Sequence, residues 1–312
     1  MKVARIGVGG SVKFLDKFLF KLKGIEVVSC FDTNKKRMQD YAKRFKVNAT
    51  KTFGDAINDA DAVIITTPNK FHKKQVIDAA KAGKHIFVEK PIANNVKDAK
   101  EMVSVCKKNK VILAVGHDYR KLDAIRKIKS LIRKNLLGKI LFCEGWISSK
   151  AGYGIKKRDW RYSKRNLKAG CLMQLGIHLI DSFNYLLGKP EKVIDASFSN
   201  VSKSEIYDFS DILVEYNKGV KVNVGCSYVS DVDFYVCVYG KKGKLQYDWK
   251  RGLAVINVNG RSRKIKLKRG NSKYEDLKDF VESVNKKKKP EVGGEEAIDA
   301  LMIVEKALKF VK

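Results

Sequence analysis

The chain has 312 residues, 44% of them hydrophobic, and carries a formal net charge of +31 from 65 Lys and Arg against 34 Asp and Glu. This length exceeds the roughly 250–300 residues at which one hydrophobic core stops growing, so two domains are expected, and the composition excludes a disordered chain. Charges at Lys2 and Arg5 and short apolar runs throughout argue against a signal peptide or a membrane span.

Six scattered cysteines (Cys30, Cys106, Cys143, Cys171, Cys226, Cys237) form no Cys-x-x-Cys pair. They read as small buried hydrophobes in a reducing cytoplasm, with no metal site. The basic residues are spread along nearly every element, and only Lys286–Lys289 forms a run. That run ends a predicted helix, where cations suit the negative dipole end, so no nucleic-acid partner is expected.

In chain order, the first third alternates short β-branched runs with amphipathic stretches. Strands are predicted at Val3–Val8, Val27–Phe31, Ala62–Ile65, His85–Val88 and Val111–Val115, with helices from about Ser11, Asn34, Lys70 and Asn94. Val12, Leu15, Phe18, Leu19 and Leu22 share one face of the first helix; Met38, Tyr41, Ala42 and Phe45 share one face of the second. Such alternation implies a parallel sheet with right-handed crossovers.

After a helix through Ile125, Ile128, Leu131 and Ile132 the pattern changes. A strand is predicted at Lys139–Ile147, a polar aromatic loop at Lys150–Lys168, and a helix at Cys171–Leu187. Alternating runs between Val193 and Leu267 suggest a large, mostly antiparallel sheet with one open face, and two helices, from about Lys273 and Gly294, close the chain. The expected architecture is an α/β Rossmann domain over 1–118 and an α+β domain over 119–312, with the last helices able to pack back on the first.

Gly7-Val8-Gly9-Gly10-Ser11-Val12 lies between the first strand and the first helix, the context of a dinucleotide fingerprint. The first glycine permits the tight turn, the second lets a pyrophosphate approach the backbone, and the helix N-terminus offers free N–H groups. Val12 replaces the third glycine. Asp32 stands 23 residues after Gly9 (32 − 9), close to the spacing of the carboxylate that bonds the adenosine ribose. It favours NAD, while Lys35, Lys36 and Arg37 leave NADP open.

Thr67-Pro68-Asn69-Lys70-Phe71-His72 and Gly83-Lys84-His85…Glu89-Lys90-Pro91 resemble the motifs of the Gfo/Idh/MocA dehydrogenase family, and Gly116-His117-x-x-Arg120, Asp159-Trp160-Arg161 and Gly176-Ile177-His178-x-x-Asp181 extend the resemblance along the chain. The resemblance implies that Gly7, Gly9, Gly10, Asp32, Thr67, Pro68, Asn69, His72 and Glu89 line the cofactor. It also implies that Lys90 sits between nicotinamide and substrate and that His178 is the catalytic base. Gln174, His178 and Asp181 are spaced to share a helix face, and an alcohol oxidation needs a base whose pKa lies near neutrality. Gln174 departs from the Asp many members carry, and Asp123 from a frequent Pro.

Rings and cations in the loop (Tyr153, Trp160, Arg161, Tyr162, Lys164, Arg165) would suit a base and phosphates. They resemble the branch acting on nucleotide sugars. The expectation is therefore a cytoplasmic NAD(P)-dependent dehydrogenase of a sugar or nucleotide sugar, with catalytic Lys90 and His178 and with Trp160, Arg161 and Gln174 as further substrate contacts. The open sheet face implies a homodimer or homotetramer. The alternatives are a free polyol or aldose dehydrogenase, and a non-enzymatic sensor of NAD or sugar.

Overall fold

The computed structural model describes residues 1–9, 12–157, 159–202, 204–267 and 270–311, with the backbone alone at 12–14. In chain order the elements are β1 (Lys2–Ile6), α1 (Val12–Leu19), β2 (Glu26–Phe31), α2 (Lys35–Phe45), β3 (Asn48–Ala49), α3 (Phe53–Asn58), β4 (Ala62–Ile65), α4 (His72–Lys81), β5 (His85–Glu89), α5 (Val96–Lys108), β6 (Leu113–Gly116), α6 (Asp123–Arg133) and β7 (Ile140–Ser148). There follow α7 (Ile177–Leu187), β8 (Pro190–Ser199), β9 (Phe209–Tyr216), β10 (Val220–Ser227), β11 (Asp233–Gly240), β12 (Gly243–Asp248), β13 (Leu253–Val258), β14 (Arg261–Lys266), α8 (Ser272–Asn285) and α9 (Gly294–Ala307). Two compact units result, Met1–His117 with Lys273–Ile298, and Asp118–Ser272 with Asp299–Lys312.

The first unit holds a six-stranded sheet in the order β3-β2-β1-β4-β5-β6, every pair parallel. Its central strands are buried on both faces: β4 is an unbroken Ala-Val-Ile-Ile run, and β1 buries Val3, Ala4 and Ile6 together with Arg5. Leu15 and Leu19 of α1 pack against Val3, Ile64 and Phe87, joined by Leu22 from beyond the helix, which ends at Leu19, and Leu277, Phe280 and Val281 from α8 complete that cluster. Met38, Tyr41 and Ala42 of α2 form a second cluster with Val8 and Cys30.

The predicted starts shift for local reasons. Asn34 is outside α2 as its N-cap, accepting from the Arg37 N–H. A 3-10 turn over Asn69–Phe71 precedes α4, and β1 ends at Ile6 because Gly7 turns the chain at φ +79. The strand β3 and the helix α3 lie beyond the predicted elements. They are two and six residues long, yet α3 carries a legible capping box between Thr52 and Asp55.

The second unit holds an eight-stranded sheet in the order β14-β13-β12-β11-β7-β10-β9-β8, antiparallel except for the β7/β10 pair. Burial alternates along β9, so one face is covered. The cover includes α7: a Cβ at Gly145 of β7 would lie 2.9 Å from Leu179 and 3.1 Å from Phe183. The predicted Cys171–Leu187 helix opens instead with a π turn at Leu172–Gly176. A side chain at Gly176 would stand 2.6 Å from Leu172, so the wide turn and the glycine belong together. Such turns concentrate at functional sites, and this one ends two residues before His178.

Candidate functional site

In an open parallel sheet, ligands gather at the carboxyl ends of the strands where their order reverses, here at β1 and β4. Gly7 caps β1. A Cβ there would lie 2.8 Å from Thr67 Cγ2 and 2.9 Å from Thr67 N, so the turn after β4 requires both the positive φ and the missing side chain.

A buried network beneath fixes this turn. The Arg5 guanidinium donates to Asp16 of α1 at 3.0 Å and to Thr66 Oγ1 at 2.8 Å, and Thr66 Oγ1 donates to Gly7 O at 2.7 Å. Burial pushes the Asp16 carboxyl up, and Arg5 only partly offsets it. Arg5 is charged yet fully buried in the middle of a core strand, and no local pattern in the sequence signals this role.

Asp32 stands at the tip of β2 with its carboxylate across both strand ends. Oδ2 accepts from Val8 N at 2.9 Å and Oδ1 from Asn34 N at 2.8 Å. Arg37 Nη1 lies 3.6 Å from Oδ2 and 3.1 Å from where a Gly9 side chain would begin, so a cation stretches over the second glycine. Gly10 lies outside the described residues. A cavity of about 680 Å³ between α1 and α2 touches the turn at Val8 and Gly9 and is otherwise lined by residues of these helices and of the turn after α1, such as Lys17, Phe20 and Arg44.

Past β4, Thr67 Oγ1 bonds Gln75 at 2.6 Å, and Pro68 leads into Asn69. The Asn69 amide bonds Asn94 through nitrogen, while its buried Oδ1 has no hydrogen-bond partner among the described residues. An orphaned polar atom beside a glycine turn fits a polar ligand. His72, expected among the cofactor-lining residues, is 1% exposed. Its Nδ1 lies 3.0 Å from Pro91 O and its Nε2 2.8 Å from Thr67 O, so it ties the turn after β4 to the one after β5. Burial of the ring lowers its pKa against the pull of those carbonyls and Glu89.

Glu89 ends β5 and Lys90 follows it through a cis Lys90–Pro91 peptide. The Glu89 carboxylate lies over Gly116 at the tip of β6, where a Cβ would meet it at 3.2 Å. Burial raises its pKa, but Lys273 Nζ at 3.7 Å, the Lys90 ammonium and the Lys90 N–H pull harder together, and the net direction is down. Lys273, at the start of α8, had no signal in the sequence, because 184 residues separate it from Glu89 (273 − 89).

In the second unit the turn Asp118–Lys121 packs on α7. Arg120 holds Asp181 by two bonds, Nε to Oδ2 at 2.9 Å and Nη2 to Oδ1, and its guanidinium lies 5.6 Å from the Tyr185 ring centre. The Tyr119 ring stacks on His178 at 4.1 Å and 26°, with Trp249 and Phe234 around it. His178 is 7% exposed, Gln174 is half-buried in the π turn, and Asp118 Oδ1 lies 3.9 Å from His178 Nδ1. Asp181 thus serves the packing of α7 through Arg120.

Within the loop, Trp160 and Arg161 form a short 3-10 turn capped by Asp159. The Arg161 guanidinium lies 3.3 Å from Asp159 and 5.4 Å from the Trp160 ring centre, and Lys164 donates to the Tyr207 hydroxyl. Lysines of the 286–289 run pair with Glu282, Glu295 and Glu296. Among the described residues no helix is long and apolar enough to cross a membrane and no residue cluster could hold a metal ion, and all six cysteines are free and buried.

Residues 1–117 match the family described as "Oxidoreductase family, NAD-binding Rossmann fold", and residues 125–246 the "GFO/IDH/MocA C-terminal domain". The chain is 30% identical over 258 residues to the glucose-6-phosphate 3-dehydrogenase of Bacillus subtilis, covering 79% of this chain and 74% of that one. An oxidoreductase structure from Desulfitobacterium hafniense, described as NADPH-dependent, superposes with a TM-score of 0.92 at 26% identity, over 99% of this chain and 94% of that one. A levoglucosan dehydrogenase in complex with NADH and levoglucosan shares the fold, with a TM-score of 0.89 at 19% identity, over 99% and 96% of the two chains.

Proposed function

Because the chain belongs to the Gfo/Idh/MocA family of NAD(P)-dependent oxidoreductases, we propose that it oxidises a secondary hydroxyl of a phosphorylated or nucleotide-linked sugar, with His178 as base and Lys90 as the electrostatic group. The observation that carries the reading is the gathering of Gly7, Asp32, Asn69, Glu89 and Lys90 at the carboxyl edge of one parallel sheet. NAD, when bound, supplies the hydride acceptor. Gly7, Gly9 and the turn Thr67-Pro68-Asn69 would hold it, and Asp32 would accept from the ribose hydroxyls. Lys90 would stabilise the alkoxide that develops as His178 removes the hydroxyl proton.

A sugar is supported by the relative acting on glucose 6-phosphate. An anionic substrate is supported by the excess of basic residues and by Arg161, Lys164 and Arg165 in the loop before α7. Gln174 and Trp160 are the further side chains we assign to the sugar. The six free cysteines suit a cytoplasmic setting. On the sheet face away from α7, Phe142 pairs with Tyr239 and Trp146 with Phe209, a half-buried aromatic surface that supports a homodimer or homotetramer.

Absorbance at 340 nm tests the reading, with NAD and a panel of sugar phosphates, nucleotide sugars, free sugars and polyols. Reduction by one anionic class, abolished in His178→Ala, is expected. Turnover of free polyols alone would overturn the substrate class, and cofactor binding without any turnover would favour a sensor.

A further inference from the structure

We propose that Asp118 is the positioning residue of His178, a carboxylate brought from a separate element to hold and charge-balance the imidazole. The proposal rests on the reading of His178 as the base. Three consecutive residues of the turn address α7. Asp118 Oδ1 lies 3.9 Å from His178 Nδ1, Tyr119 stacks on the imidazole face at 4.1 Å, and Arg120 grips Asp181 three residues further along the helix. The grip fixes the turn against the helix, the stack fixes the ring plane, and the carboxylate then faces one ring nitrogen.

Asp118 is itself held in place. The Ser272 hydroxyl donates to Oδ2 at 2.8 Å, which turns Oδ1 toward the ring, and both Asp118 (3%) and His178 (7%) are withdrawn from water. At 3.9 Å the contact is longer than a hydrogen bond but within ion-pair reach, so its value grows when the imidazole takes a proton. Gln174, on the turn before His178, offers no charge for this purpose.

A carboxylate at Nδ1 favours the proton there and leaves the Nε2 lone pair as the basic site. In the reaction the substrate O–H bond breaks and its proton passes to Nε2. The carbonyl forms as the carbon's hydride passes to NAD, the oxidant of the family reaction. The imidazolium so formed is neutralised by Asp118.

Only four histidines occur in the chain, so long-range 15N NMR of the histidine rings can read the His178 tautomer, assigned by the signal lost in His178→Ala. The expected state is Nδ1–H in wild type, with loss of that preference in Asp118→Asn. Asp118→Asn should also lower kcat roughly 10- to 100-fold, below the 10²–10⁴ that a general base contributes, with KM changed less than about threefold. Ser272→Ala, which only frees the carboxylate, should act in the same direction more weakly. An Nε2–H tautomer in wild type, or one unmoved by Asp118→Asn, overturns the proposal, as does an unchanged kcat in Asp118→Asn when His178→Ala is inactive. Full activity in His178→Ala refutes the base assignment instead, and the tautomer then decides the role of Asp118 by itself.

Discussion

Removing one partner of the Arg120–Asp181 pair should cost more stability than removing both. The two side chains are 5% and 1% exposed and joined at 2.9 Å by one of their two bonds. With an effective dielectric constant of about 20, two unit charges at that distance attract by about 6 kcal/mol, and taking both from water costs several kcal/mol per ion. The net worth of the intact pair is therefore small, whereas Arg120→Met or Asp181→Leu alone takes one partner from a buried ion pair, at about 3–5 kcal/mol. At roughly 2–4 °C per kcal/mol, each single variant should melt about 6–20 °C below wild type, and the double variant should recover most of that loss. Scanning calorimetry of the four proteins gives the coupling directly. Single variants within about 1 kcal/mol of wild type, or a double variant as unstable as the sum of the singles, would refute this account of how α7 is held.

Three further outcomes follow from the first unit. Gly7→Ala places a Cβ 2.8 Å from Thr67 at a φ of +79 and should cost about 1–3 kcal/mol with a marked loss of NADH affinity, read by nucleotide fluorescence titration. Asp32→Ser removes the carboxylate and leaves Arg37 beside the ribose position, so the ratio of kcat/KM for NADP over NAD should rise at least about tenfold, or about 1.4 kcal/mol. His72 has a folded pKa below its unfolded value near 6.5, so its contribution is whole above that pH and is lost as pH falls toward the folded pKa. Over that window wild type should lose up to about 1.4 kcal/mol per pH unit more than His72→Gln, measured by denaturant unfolding at successive pH values.

Much of the first unit was legible because its signals are local. Strand cores such as Ala62–Ile65 are continuous apolar runs, and the faces of α1 and α2 repeat at helical spacing. Asp32 could be found because one helix and one strand of ordinary length separate it from the glycine turn by a predictable count. Arg5, Lys273 and Asp118 act on partners that only tertiary structure brings near, so no window of sequence carries their roles. The π turn before His178 escaped for another reason: a one-residue widening leaves apolar periodicity almost unchanged, and Gly176 there reads as a helix residue of low propensity. The i, i+4, i+7 spacing of Gln174, His178 and Asp181 puts all three on one face of a single α-helix, whereas Gln174 lies in the π turn before α7, and the spacing could not tell that Arg120 claims Asp181.

The cluster that seats α1 includes Leu277, Phe280 and Val281, which the ribosome makes only after Asp118–Ser272, the greater part of the second unit. A nascent chain that has just released His117 has its six strands but not the helix that seals them, and so exposes Leu19, Ile64 and Phe87 to solvent or to a chaperone while about 155 further residues emerge (272 − 117). At synthesis rates of about 5–20 residues per second that interval lasts roughly 8 to 31 seconds. The dinucleotide half thus starts ahead of Asp118–Ser272 and is completed only after it, and a C-terminal truncation before α8 should send the chain to aggregation while every glycine and acid of the cofactor turn is still present.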